Sequence, residues 1–224
     1  MNMRTASPFF SIGCGRVLRA FTTFLAMTAL FLSCTATEPE EGPFYRSEQG
    51  YRLRLSPQWF VVGRFETGQN DIHAAVDNPR VRTLFTDEVL KALKEKARAS
   101  GVELFLNLET SDETLIESIN VQTARGSIAG EESEVGHACA ETERQLTALY
   151  QEPVRISTCK ALKIRRMPVL VMEYQVEKLT LAYVQYLIQF QKDRYSVMTL
   201  TCRPANLPRL RPEMDAIAES FRPL

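Results

Sequence analysis

The chain of 224 residues carries 27 basic and 27 acidic residues, 45% hydrophobic residues and two histidines. Such a balance offers no electrostatic footprint for nucleic acid, and the apolar content is that of a chain able to bury a core rather than remain disordered. The histidines, His73 and His137, lie in separate contexts, and neither has a second histidine at metal-ligand spacing.

The first 33 residues contain Arg4, Arg16 and Arg19 and no acidic residue, and Ala20 to Leu32 is an unbroken apolar or hydroxyl run. The run falls short of the roughly 20 residues a stable transmembrane helix needs; with its basic flank it matches a signal peptide. It ends Leu30-Phe31-Leu32-Ser33-Cys34, which resembles the lipobox of bacterial lipoproteins. The resemblance implies a signal peptide over 1–33 and a diacylglyceryl group on Cys34. The membrane is then the first partner, through the anchor. The chain is expected in the cell envelope facing the periplasm, with Thr35 in place of an aspartate leaning to the outer membrane where there is one. An ordinary secretory signal cleaved near Ala36 is the alternative. Residues 34–43, through Thr35 to Pro43, are polar, acidic and proline-containing and read as a flexible tether. Residues 44–224 are the length of one domain. Without the three signal-peptide arginines, the mature chain expected from Cys34 onward carries 24 basic against 27 acidic residues, about −3.

Within the domain, Tyr51 to Leu55 alternates as a half-buried strand, and Ser56-Pro57-Gln58-Trp59 breaks it. Asp71 to Arg80 is loop-like. Thr86 caps a helix over Asp87 to Ala99, with Leu84, Val89, Leu90, Leu93 and Ala97 as its apolar stripe and Gly101 as its stop. Val102 to Glu109 and Ile116 to Thr123 are strands, and Ala124 to Gly136 is an exposed loop. A second helix spans His137 to Gln151 with Cys139, Leu146, Leu149 and Tyr150 inward.

The C-terminal half holds four β-rich runs, Val154–Ile164, Val169–Val176, Leu179–Gln191 and Arg194–Cys202, separated by short turns. Parallel strands would need crossovers of a dozen residues or more, so these form an antiparallel meander. A closing amphipathic helix runs from Leu207 to Phe221. The predicted fold class is α+β: a central, mostly antiparallel sheet of about six to seven strands flanked by helices.

Three segments carry a family resemblance: Leu53-Arg54-Leu55-Ser56-Pro57-Gln58-Trp59, the hairpin Leu179 to Cys202, and the ending Ile217-Ala218-Glu219-Ser220-Phe221-Arg222. Together they resemble the PsbP-like or DcrB-like superfamily. That resemblance covers most of residues 44–224 and implies the sheet-and-helix fold in a docking or scaffolding role, with no metal or cofactor site carried over.

Chemistry-bearing groups are sparse. His137, Cys139 and Glu141 stand at i, i+2 and i+4, so His137 and Cys139 do not converge on a helix. No serine has a nucleophile-elbow pattern, and Gly126-Ser127-Ile128-Ala129-Gly130 lacks the lysine of a phosphate loop. Lys160, Lys163, Arg165 and Arg166 cluster around a turn and read as a solvated edge. Trp59, Tyr183, Tyr186, Phe190 and Tyr195 are core packing or the lining of a ligand groove. Cys14 falls in the signal peptide and Cys34 is the lipid candidate, leaving Cys139, Cys159 and Cys202. In the meander, Cys159 and Cys202 are level but three strands, roughly 14 Å, apart, beyond the reach of a disulfide. A helix packed antiparallel on its following strand brings position 139 beside 159, so Cys139–Cys159 is the expected pair; the alternative is three reduced thiols. Alternation sets Cys159 opposite Ile156 and Leu162, against that pairing.

The expected role is a non-enzymatic, membrane-tethered interaction or scaffolding module with an envelope protein partner, no cofactor and no nucleic acid. The alternative is an envelope protein binding a small molecule or lipid under the helices. An enzyme using Glu173 or Asp193 is the third reading.

Overall fold

A computed structural model describes residues 44–62, 79–129 and 132–224. The expected signal peptide, Cys34, the tether, His73 and Gly130 lie outside the described residues.

The long strands are where the sequence alternates most clearly. They are β6 (Ile156–Ile164), β7 (Met167–Val176), β8 (Leu181–Gln191) and β9 (Arg194–Cys202). Each pairs antiparallel with the next. Their turns are tight: Arg165 takes a left-handed φ of 60°, and Thr180 one of 52° after a 3-10 turn at Glu177–Leu179. Strand β9 then pairs with β5 (Ser118–Arg125) over its length, from Ser118↔Thr201 to Arg125↔Arg194. With β4 (Glu103–Asn107) and β3 (Trp59–Val62) this completes a seven-stranded antiparallel sheet of order β3-β4-β5-β9-β8-β7-β6. The α+β class expected from the sequence is the one observed.

A second, three-stranded sheet joins β1 (Phe44–Arg46), β2 (Tyr51–Arg54) and β10 (Arg222–Pro223). It shares one face of the large sheet with helix α4 (Leu207–Ser220). Leu210, Met214, Ile217 and Phe221 pack there against Val171, Val184, Ile188, Met198 and Leu200. Phe221 stacks on Tyr51 with ring centroids 4.8 Å apart, and Tyr45 meets Phe105 edge-on at 5.0 Å.

The opposite face carries helices at its two margins. Helix α1 (Pro79–Leu84) and helix α2 (Asp87–Ser100) pack with Phe60, Val62, Leu106 and Leu108 of the β3–β4 margin. Helix α3 (Glu132–Tyr150) covers β6 and β7 through Val135, Leu146 and Tyr150 against Leu170, Met172 and Tyr174. Thr86 caps α2 by accepting from the Val89 amide at 3.3 Å, and Gly101 ends it at φ 65°, a conformation that favours glycine.

Several local expectations are corrected. Trp59 starts β3 instead of breaking a strand: the turn is complete by then, the Trp59 amide donating to the Ser56 carbonyl at 3.0 Å. The alternating Tyr51 strand belongs to the small sheet. Leu84 lies in α1, and Val89 is 47% exposed, outside the α2 stripe. Helix α3 begins five residues before His137, and Leu149 is 70% exposed. Cys202 pairs with Ala182, whereas Thr199 is level with Cys159 through Gln185 and Met172, so the two cysteines are offset along the strands as well as across them. A bulge explains the misread parity of β6. Ile156 pairs with Tyr174 and Thr158 with Glu173, leaving Ser157 as the extra residue. Ile156 and Cys159 therefore share the α3 face, and Leu162 points to the other.

One buried polar group ties the two sheets together. Glu103 of β4 is 4% exposed; its carboxylate accepts from Ser47 Oγ at 2.7 Å and from the Tyr51 hydroxyl. Burial, and then the neighbouring Glu103 charge, hold the Tyr51 phenol well above its ordinary pKa, so it stays a donor. Tyr51→Phe keeps the ring stack but removes a donor from a buried carboxylate. It is expected to cost about 1–3 kcal/mol in urea unfolding; an unchanged midpoint would mean that the Tyr51 hydroxyl adds nothing to the junction of the two sheets.

Candidate functional site

The residues singled out in the sequence do not converge. Cys139, in the middle of α3, is disulfide-bonded to Cys159 of the edge strand β6, with their Cα atoms 6.3 Å apart. His137 is exposed on α3, and Glu141 is engaged by Arg144 and Gln145; among the described residues no group of three metal-ligating side chains gathers. Glu173 lies opposite Val184 and Asp193 in the β8–β9 turn. The strand from Val184 to Gln191 alone spans roughly 23 Å, so the two carboxylates cannot act on one substrate bond. Of the five aromatics, Trp59, Tyr186 and Phe190 are core on the α4 side, and Tyr183 packs on Tyr174 at 4.9 Å. Tyr195 is half-exposed.

Buried and half-buried charges on the α4 side hold the fold. Arg211 of α4 reaches Glu173 at 3.3 Å and also pairs with Asp215, which accepts from the Tyr186 hydroxyl. Glu117 is fully buried and accepts from the Arg203 amide at 3.0 Å and Asn206 Nδ2 at 2.8 Å, fixing the turn that leads into α4. A cavity of about 230 Å³ lined by Phe60, Val81, Arg82, Asp87, Leu90, Lys91 and Lys94 is smaller than the ~300–1,000 Å³ of typical ligand pockets.

The remaining feature is the middle of the sheet face that carries α2 and α3. Register lays its side chains out in rows. One row runs from Leu104, in the cluster under α2, through Asn120, Thr199 and Gln185 to Met172, under α3. The next row runs Leu106, Ser118, Thr201, Tyr183, Tyr174, and a third runs Gln122, Val197, Leu187, Leu170. Ser118, Asn120, Gln185, Leu187, Val197 and Thr201 are half-buried and Gln122 is exposed, whereas Thr199 and Tyr183 are buried, and none is charged. Gln185 Nε2 donates to Thr199 Oγ1 at 3.3 Å.

Helix α2 sits over β3 and β4 and α3 over β6 and β7. Five strand spacings of ~4.8 Å put their axes about 24 Å apart, and a helix diameter of ~10 Å leaves a trough of about 14 Å between the helices, narrowed over β8 where Tyr150 of α3 meets Tyr183 at 6.3 Å. The loop at Gly126–Ala129 closes one end. Gln189 accepts from the Ile128 amide at 2.8 Å and donates to the Gly126 carbonyl at 3.1 Å. A Cβ on Gly126 would lie 3.6 Å from the Tyr195 ring, so this loop passes close to it. No reactive residue marks this strip in the sequence. Its signal was the lack of charge at every second position of the central strands.

No family model matches the chain, and no curated protein matches it. Among solved structures it is similar to cyanobacterial PsbP (CyanoP) from Synechocystis, with a TM-score of 0.49 and 10% identity over 81% of this chain and 92% of that one. It is also similar to a protein of unknown function from Pseudomonas aeruginosa, with a TM-score of 0.39 and 20% identity over 55% of this chain and 83% of the other. A Bacteroides thetaiotaomicron structure matches with a TM-score of 0.38 and 11% identity, covering 82% of this chain and 49% of that chain.

Cys202 is buried and outside any disulfide; burial pushes its thiol up to about 12. With Cys139 and Cys159 bonded, the folded domain is expected to take up no alkylating reagent at pH 8 at these three positions. Unfolding should release one thiol, and unfolding with reduction three. Fast labelling of the native domain at Cys202 would show a strand end more open than this packing allows.

Proposed function

We propose that this domain is a non-enzymatic interaction module held at a membrane by a lipid on Cys34, and that the uncharged trough between α2 and α3 is its contact surface. The observation that carries the reading is the trough floor. An ordinary globular chain is about 25% charged, and the solvent side of an antiparallel sheet, where such residues are placed, is normally polar. Three adjacent strands with a half-exposed face and no charged residue depart from that pattern. Elsewhere Glu103, Glu117, Glu173, Arg211 and Asp215 are held in contacts between structural elements, an arrangement that favours a fixed surface over acid–base chemistry.

The anchor and the surface are tested separately. Intact mass of membrane-purified protein should match a chain beginning at Cys34 with a diacylglyceryl group, lost in Cys34→Ala; an unmodified chain starting later would remove the anchor. A photo-crosslinking residue at Gln185 in cells should give a discrete adduct that the same residue at Lys163, near the β6–β7 turn, does not. Equal adducts from both positions would show that the trough is not a preferred surface.

A further inference from the structure

Resting on the trough as the contact surface, we infer that its ligand is an uncharged glycan chain lying across β5, β9 and β8. The functional groups of the floor decide the class. Asn120, Gln122 and Gln185 each offer an amide with two donors and an acceptor, while Ser118 and Thr201 offer hydroxyls able to do both. This inventory matches the mixed donor and acceptor hydroxyls of a neutral sugar. It holds no cation for phosphate, carboxylate or sulfate and no carboxylate for a basic peptide.

The other occupants of such a trough fit less well. A docked helix needs an apolar floor, and the central row is Asn120, Thr199 and Gln185. An extended peptide gains its affinity by adding a strand to a free sheet edge. Here β5, β9 and β8 lie inside the sheet, each paired on both sides, so only side chains remain to bind with. A lipid tail would leave the amides without partners, at about 1–3 kcal/mol each. A glycan uses these groups as they stand. Tyr195, half-exposed at the closed end, and Val197 between the amides give apolar patches for the faces of sugar rings.

The probes are oligomers of N-acetylglucosamine and of glucose, titrated into the full-length protein with side-chain amide resonances followed by NMR. Saturable shifts of Asn120, Gln122 and Gln185, weakened about tenfold or more in Gln185→Ala, are expected; tenfold corresponds to about 1.4 kcal/mol, the scale of one or two hydrogen bonds. Gln122→Ala, at a more exposed position, provides the same test where Gln185→Ala disturbs the fold. Three results overturn the inference. One is no saturable shift with either oligomer series. A second is shifts confined to residues outside the trough. The third is binding unchanged in both variants while their spectra remain folded. A discrete crosslink from Gln185 combined with no oligosaccharide binding would sink the glycan and leave the trough as a surface for another partner.

Discussion

The structure depends on one apolar layer, between the seven-stranded sheet and the α4 helix with its small sheet. Val171, Val184, Ile188, Met198 and Leu200 on the strands and Leu210, Met214, Ile217 and Phe221 on the other side are all nearly or fully buried. Burying a side chain of this kind contributes about 1.5–3 kcal/mol. A one-residue slip of any central strand would turn its whole apolar set outward. Register is therefore fixed by this face, and the opposite face inherits it. Asn120, Thr199 and Gln185 form a row because Val121, Met198 and Val184, their neighbours in the chain, must point into the core.

That inheritance separates two kinds of polar residue. Those on the buried side are committed to joining elements: Glu103 bridges the sheets, Glu117 fastens the turn before α4, and Arg211 gathers Glu173 and Asp215. Removing one partner from such a group leaves a charge short of its contacts, which is costly, so these residues are constrained by the fold. Those on the trough side carry fewer obligations. Gln189 holds the Gly126–Ala129 loop and Gln185 leans on Thr199, but Asn120 and Gln122 sit on a strand whose register would tolerate lysine or glutamate equally well. Their neutrality is not demanded by packing, which is why the proposed contact surface is placed there.

The α+β class, the meander and the closing helix were legible because long strands with a buried face alternate visibly and tight turns leave no room for crossovers. Failures came where a local irregularity broke the period. The bulge at Ser157 reversed the parity of Ile156, making Cys159 look out of place. A turn ending at Gln58 hid β3, because four consecutive buried residues, Trp59 to Val62, show no alternation to read. Helix α3 was begun too late because its first turns carry few apolar residues, only Val135 being buried there. The trough itself was invisible to a search for reactive groups, since assembling it needs the pairing of β5 with β9, strands separated by most of the meander.

The disulfide supplies what the packing of α3 lacks. Helix α3 forms one wall of the trough, yet it buries little and leaves Leu149 exposed, so packing alone holds it weakly. Cys139 and Cys159 are 20 residues apart, and closing a loop of that length stabilises by about 3 kcal/mol in the chain-entropy description. That is comparable to burying one or two more large side chains, which is what α3 lacks. The bond is placed at the edge strand β6, where a helix would otherwise most easily lift away. That contribution is present only where thiols are not held reduced. An oxidising compartment such as the proposed envelope location meets that condition, so the disulfide and the proposed lipid on Cys34 are compatible with one destination.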